Sequence, residues 1–180
     1  MFGTDAQGGI QTVIRLYKQS GLFEELGILY VPSHVETSIF GRMAVFVKAL
    51  SIMIYYFVFG DVKLVHLHSA AKGSFWRKAV LILISKLFRK KVIFHLHGSE
   101  FKDFYELLLT PFWKKVVTRV INLTDTVMVL SSQWKAWIEG QAGVTANVVV
   151  VQNFVDPVAV NNANRLEVGV PLASFVRSVA

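Results

Sequence analysis

The 180-residue sequence has no cysteine, which excludes disulfides and thiolate metal sites and is compatible with a reducing compartment. Acidic residues are scarce, 12 against 19 lysines and arginines, for a formal charge of +7. Between Val62 and Ser99 there is none, while Lys63, Lys72, Arg77, Lys78, Lys86, Arg89, Lys90 and Lys91 all fall there. Such a field attracts phosphate, whether of lipid headgroups, nucleic acid or a diphosphate-linked substrate, although a solvated basic face gives the same pattern. No groove-reading or single-strand-binding motif accompanies the charge, so no nucleic-acid partner is expected. No signal-peptide pattern opens the chain. A membrane span is also lacking: within 42–59 the uncharged part begins at Ala49 and ends by Gly60, about half of the ~20 apolar residues a crossing needs. That stretch predicts a buried or interfacial helix with Arg42 and Lys48 at its wet end.

What is present is a chain 53% hydrophobic, enough to bury the core of one domain. Ile10, Val13, Ile14 and Tyr17 recur at helical spacing after Gly8-Gly9, and Gly21 sits where a C-cap would. Short β-branched or apolar runs follow at 27–31, where Pro32 should stop the strand, and then at 62–67, 91–96, 126–130 and 147–151. Between them lie helical patterns at 42–59, 74–88, 111–121, where Thr110-Pro111 supplies cap and N1 proline, and from Ser131 or Ser132 to about Gln141. The alternation predicts an α/β fold, a parallel β-sheet with helices on both faces. The domain is expected over 1–157, with 158–180 an irregular tail. Only "MFGTDAQ" precedes the glycine pair, too little for a first strand, so that strand is expected to be missing or the sheet to start late.

Two phrases, "LVHLHSA" at 64–70 and "VIFHLHGSE" at 92–100, place His66 and His68 each 29 residues ahead of His95 and His97. Histidines two apart on a strand share a face, so either pair could hold a metal, but the carboxylates that usually fix imidazole tautomers are lacking around the first pair. The other reading follows from topology. Ligands of open parallel sheets bind beyond the carboxyl ends of the strands, which puts His68 and His97 on the rim and leaves His66 and His95 as packed, hydrogen-bonded core residues. His97 is the most informative, with Gly98 allowing close backbone approach and Ser99, Glu100 and Asp103 adding polar groups. Gly8 and Gly9 open a helix whose unpaired N–H groups and dipole favour an anion, although a plain tight turn fits them equally.

Read in order, "GGIQTVIRLYKQSGLF", "DVKLVHLHSAAKGSFWRK", "KVIFHLHGSEF", "TDTVMVLSSQW" and "VVVVQNFVD" resemble the N-terminal half of family 4 glycosyltransferases of the GT-B fold. The resemblance implies a Rossmann-like acceptor domain facing a C-terminal donor domain. It implies a metal-independent transfer, with retention, from a nucleotide-sugar donor to a saccharide or lipid-linked acceptor. No cofactor is implied, because the nucleotide sugar is a substrate. Carried over, it makes Gly8 and Gly9 the loop at the donor diphosphate and His97 the catalytic residue beside the transferred sugar. His68, Lys72, Arg77, Gly98, Glu100, Ser131 and Asn153 become candidate cleft or acceptor contacts, and the loop 72–78 an acceptor-side contact unless Phe75 and Trp76 are simply core. The setting expected is cytoplasmic, peripheral on the inner face of the cytoplasmic membrane, in cell-surface polysaccharide or glycolipid synthesis.

Two features depart from the family pattern: the first strand, and a donor domain, whose glutamate pair and lysine-bearing glycine turn have no counterpart after Asp156. The chain alone is therefore expected to transfer no sugar. Two rivals remain at this level: a metal-dependent hydrolase built on the two His-x-His pairs, and a basic membrane-binding module without catalysis.

Overall fold

The structure, a computed structural model, describes residues 1–5, 8–98 and 100–152. It contains six parallel strands in the order β2-β1-β3-β4-β5-β6, namely β1 (Phe2–Gly3), β2 (Val31–Pro32), β3 (Leu64–Ser69), β4 (Lys91–Leu96), β5 (Thr126–Val129) and β6 (Asn147–Val150). The helices are α1 (Gly9–Gln19), α2 (Leu22–Glu25), α3 (Ile39–Phe59), α4 (Gly73–Leu87), α5 (Glu100–Asp103), α6 (Pro111–Asn122) and α7 (Ser132–Gly140), with a π-helical turn over Phe104–Leu108. The expected α/β class is the one observed.

Two strands differ from expectation. A first strand exists before the glycine turn: Phe2–Gly3 pairs with Val31–Pro32 on one side and with Leu67 on the other. Two residues carry no periodicity, which is why the sequence hides it. β2 begins at Val31 and includes Pro32 rather than stopping before it. The ladder there is made by Val31 N to Met1 O, 2.9 Å, and Ser33 N to Gly3 O, 3.2 Å, so the N–H that Pro32 lacks faces the open side of an edge strand.

The two faces of the sheet are different. Val65, Leu67, Val92, Phe94, Val127 and Val129 point to the side packed by Met53 of α3, Phe75 of α4, Val117 of α6 and Trp137 of α7 in one apolar cluster. The alternate residues of β3 and β4, among them His66, His68 and His95, point the other way, and His97 follows β4 in the same alternation. On that side lies α1, with the Tyr17 ring 6.1 Å from His68. Gly3 lets it sit close, since a Cβ there would overlap Ile14.

Helix α3 is not the buried helix that its hydropathy allowed. It is long and apolar enough to cross a membrane, yet only Ala49, Met53 and Phe57, one narrow stripe, are buried. Phe40, Met43, Val47, Tyr55, Val58 and Phe59 stand in the open. A crossing is excluded by connectivity, because α3 links β2 to β3, strands of one sheet separated only by β1. Arg42, in the first turn of α3, and Lys48, near its middle, are exposed.

Candidate functional site

Because all strands run parallel, every loop that follows a strand opens on the same edge. That edge carries the start of α1 just after β1, the start of α4 after β3, and Gly98 after β4. Gly8, the residue before α1, has φ 151° and ψ −176°, a region essentially closed to side-chain residues. Gly8, as N-cap, has no side chain with which to cap the helix, and among the described residues there is open space where a Cβ at Gly8 or Gly9 would lie. The first-turn N–H groups are thus accessible to an anion. Gly98 has φ 93° and faces open space; Ser99 lies outside the described residues.

The histidine rings do not stand exposed on the rim, although His97 directly follows the carboxyl end of β4. His68 is fully buried and His97 is 5% exposed, because both rings fold back onto the sheet face that also receives Tyr17. They are joined to each other, His68 Nδ1 to His97 Nε2, at 2.8 Å. His66 and His95 are packed as expected but not hydrogen-bonded: His66 Nε2 and both His95 nitrogens are buried without a partner among the described residues. Burial holds all four rings neutral. It pushes His97 down to about 4; His66 goes to about 3 by burial, then the chain's amino terminus and His97. His68 and His95 go well below their ordinary value by burial, followed by the neighbouring histidines.

The tautomer of the central pair follows from its surroundings. His68 Nε2 is buried and unpartnered. If His97 donated, that nitrogen would carry a stranded N–H, costlier than an unused lone pair. His68 Nδ1–H therefore donates and His97 Nε2 accepts, which puts the proton of His97 on Nδ1.

The metal reading fits by distance but not by orientation. Ligand atoms of His66, His68 and His95 lie within 4.8 Å of one another. The rings, however, stack: His66 on His95 at 14° and His66 on His68 at 28° between planes. Imidazole lone pairs lie in the ring plane, so stacked rings aim them side by side rather than at one ion.

Of the other expected contacts, Lys72 and Glu100 are exposed at the same edge. Ser131 spends its hydroxyl oxygen on the cap of α7, accepting from Trp134 N at 3.3 Å. Arg77 is half-buried beside the start of α4. Phe75 is core and Trp76 packs half-buried against it, so the aromatic part of the 72–78 loop serves packing. Asn153, with the rest of 153–180, lies outside the described residues.

A family model described as Glycosyltransferase Family 4 matches residues 6–158. The chain belongs to that family. No curated protein and no solved structure matches it. This family 4 domain is thus part of a glycosyltransferase, an enzyme with a sugar donor and an acceptor as substrates, and the Rossmann-like sheet is its framework. The resemblance seen in the sequence blocks is the one the family match shows.

At the edge His34 escaped the sequence reading, and so did the burial of Lys78, which the sequence names only as part of the basic loop 72–78. Lys78 is 1% exposed, its Nζ held by Gly3 O at 3.4 Å and by Ser33 Oγ. Its signal was available: Phe75, Lys78, Ala79 and Ile82 form the buried stripe of α4, so a lysine occupies a core position. His34, in the loop after β2, had no pattern to betray it.

Lys72 also carries strain. It precedes α4 with φ 52° and ψ −124° and makes no side-chain cap. Such a conformation costs a non-glycine residue ~1–3 kcal/mol. Lys72→Gly should therefore raise stability by about 1 kcal/mol after the larger unfolded-state entropy of glycine is subtracted, as read by urea denaturation.

Proposed function

We propose that this domain is the acceptor-binding half of a retaining glycosyltransferase. It works with a C-terminal donor domain to move a hexose-like sugar from a nucleotide-sugar to a lipid-linked or saccharide acceptor. The observation that carries the reading is the shared edge: a glycine turn at Gly8-Gly9 after β1 and a histidine, His97, directly after β4, its Nε2 bonded to His68. Transfer of a sugar leaves a diphosphate and builds positive charge at the anomeric carbon, so catalysis needs fixed donors at the departing oxygens and a positioned sugar more than a strong nucleophile. The α1 N-terminus supplies the first; His97 Nδ1–H, oriented by His68, supplies the second. No cofactor takes part.

The exposed apolar residues of α3, together with Leu83 and Leu87 of α4 and Phe112 and Trp113 of α6, exceed what a soluble surface usually shows. With the surplus of lysine and arginine they support attachment to the anionic inner face of the cytoplasmic membrane, as suits cell-surface polysaccharide or glycolipid synthesis.

The test is transfer from radiolabelled nucleotide sugars to lipid acceptors by the chain joined to a family donor-binding half. We expect product with the donor's anomeric configuration, and a drop of about 100-fold for His97→Ala, the scale for losing one positioned donor. Inversion, or an unchanged rate for the variant, counts against the reading.

A further inference from the structure

An imidazole that must present one chosen N–H is usually fixed by a carboxylate, which can only accept. The partner of His97 is instead a second imidazole, His68 Nδ1 to His97 Nε2 at 2.8 Å. After burial itself, what depresses the four buried rings is one another's charge, Lys78 and the amino terminus; none of these is a carboxylate. Two neutral imidazoles can share a hydrogen bond in either direction, since each has one donor and one acceptor nitrogen. The bond alone therefore selects no tautomer. The choice falls to the outer nitrogen of His68, Nε2, which is buried without a hydrogen-bond partner among the described residues. It is sharp only while that atom stays out of reach of solvent, because a water would satisfy a lone pair and an N–H equally well.

Solvent is kept away by what packs on the His68 ring. His66, His95 and His97 lie against it with centroids 4.3, 5.0 and 5.0 Å away. The aromatic contact from another element is Tyr17 of α1, its ring centroid 6.1 Å away and its plane tilted by 52°. Tyr17 is buried and forms one stripe of α1 with Val13 and Ile14, while Arg15 and Lys18 stand in solvent on the other side. That stripe reaches the sheet because Gly3 has no Cβ to hold Ile14 off. Burial pushes the Tyr17 hydroxyl well up from the ordinary tyrosine value, so it stays protonated and brings no charge to the rings. One helix thus opens at the glycine turn and, about two turns later, covers the histidine pair.

We propose that Tyr17 is a positioning residue for His97: by covering His68 it keeps Nε2 from solvent, and so fixes the arrangement in which His68 donates and His97 carries its proton on Nδ1. In the opposite arrangement His68 Nε2 would hold a stranded N–H, which disfavours it by about tenfold or more. The inference rests on the glycosyltransferase reading only for the use made of that proton at the transferred sugar; where the proton sits is decided inside this domain. A tyrosine that merely filled the core would change stability when replaced and leave the protons where they are.

The test is long-range proton–nitrogen NMR of the chain labelled with nitrogen-15 histidine, near neutral pH. In the wild type, His68 and His97 should each show a protonated Nδ1 and a bare Nε2, and the His68 ring protons should give no cross-peak to water. Tyr17→Phe keeps the ring and should leave both signatures unchanged. Tyr17→Ser opens the cover, and the share of His97 with its proton on Nδ1 should fall from about 90% or more to about half. Should the serine variant lose its fold, Tyr17→Leu, which keeps the stripe apolar but gives up the ring's breadth, should shift the same signals in the same direction by less. A proton on His97 Nε2 in the wild type, a water cross-peak at His68, or wild-type shifts in a folded Tyr17→Ser would overturn the proposal. If the shifts behave as expected while His97→Ala leaves transfer untouched, the catalytic reading fails and the control of the tautomer by Tyr17 stands.

Discussion

Acidification from pH 7 to pH 5 should unfold this domain. His66, His68, His95 and His97 are buried, and their folded values are held below the usual ~6.5 of an unfolded histidine, at about 3 for His66 and about 4 for His97. A group with a lowered folded value gives stability that is complete above the unfolded value and is lost as pH falls towards the folded one. Between about pH 6.5 and pH 4 the unfolded chain therefore binds more protons than the native one, up to one for each ring. The slope reaches about 1.4 kcal/mol per pH unit per histidine, so about 5 kcal/mol per unit for four. Against a typical total of about 5–15 kcal/mol, little stability remains near pH 5. Urea midpoints measured from pH 7.5 down to pH 5 should fall steeply, and His66→Leu should flatten the slope by about one proton. A flat profile across that range would mean that the rings are not buried as described.

Lys78→Met should raise stability near neutral pH. Burial, and then the charge of Arg77, lowers the Lys78 ammonium from 10.5 to about 7. A cation whose folded value is depressed weakens the native state most below that folded value, and the penalty fades as pH rises from about 7 to about 10.5. A depression of this size is on the order of 5 kcal/mol; the bonds to Ser33 and Gly3 lost on substitution return about 1–2 kcal/mol of it. A net gain of about 3 kcal/mol at pH 7, turning into a loss of about 1–2 kcal/mol above pH 10.5, where only the missing bonds count, is expected from denaturation at several pH values. A destabilised variant at pH 7 would show that Lys78 is better satisfied than its neighbours suggest. A lysine retained at a core position at this cost is consistent with a role in binding.

Much of the fold could be read before the coordinates. β4 runs over Lys91–Leu96, α6 starts at Pro111 after Thr110, and Ser131 caps α7, because each carries a local signal: a β-branched run, a proline at N1, a cap hydroxyl. β1 was invisible because two residues have no period, and Pro32 misled because its edge position is tertiary information. Alternation placed the four histidines on one face but could not say that their rings fold under Tyr17 rather than stand on the rim. The exposure of α3 was hidden for a related reason: a helix apolar all round does not reveal how narrow its buried stripe is. Gly8, Gly9 and His97 were named as site candidates from their motifs and from the family resemblance. Arg77 and the loop 72–78 were named as acceptor contacts from the resemblance, but the burial of Lys78 against Gly3 and Ser33 was not legible, since three segments with no common spacing meet there.

The central claim is that the glycine turn and His97 hold one ligand at the carboxyl edge. Isotope-labelled chain titrated with a nucleotide-diphosphate sugar and followed by two-dimensional NMR tests it most directly. The account predicts that the Gly8 and Gly9 amides and the His97 ring shift together along a single saturation curve. Shifts confined to the roughly 420 Å³ cavity at the amino edge, lined by Leu26, Ile52 and Tyr56, with His97 unmoved, would contradict it.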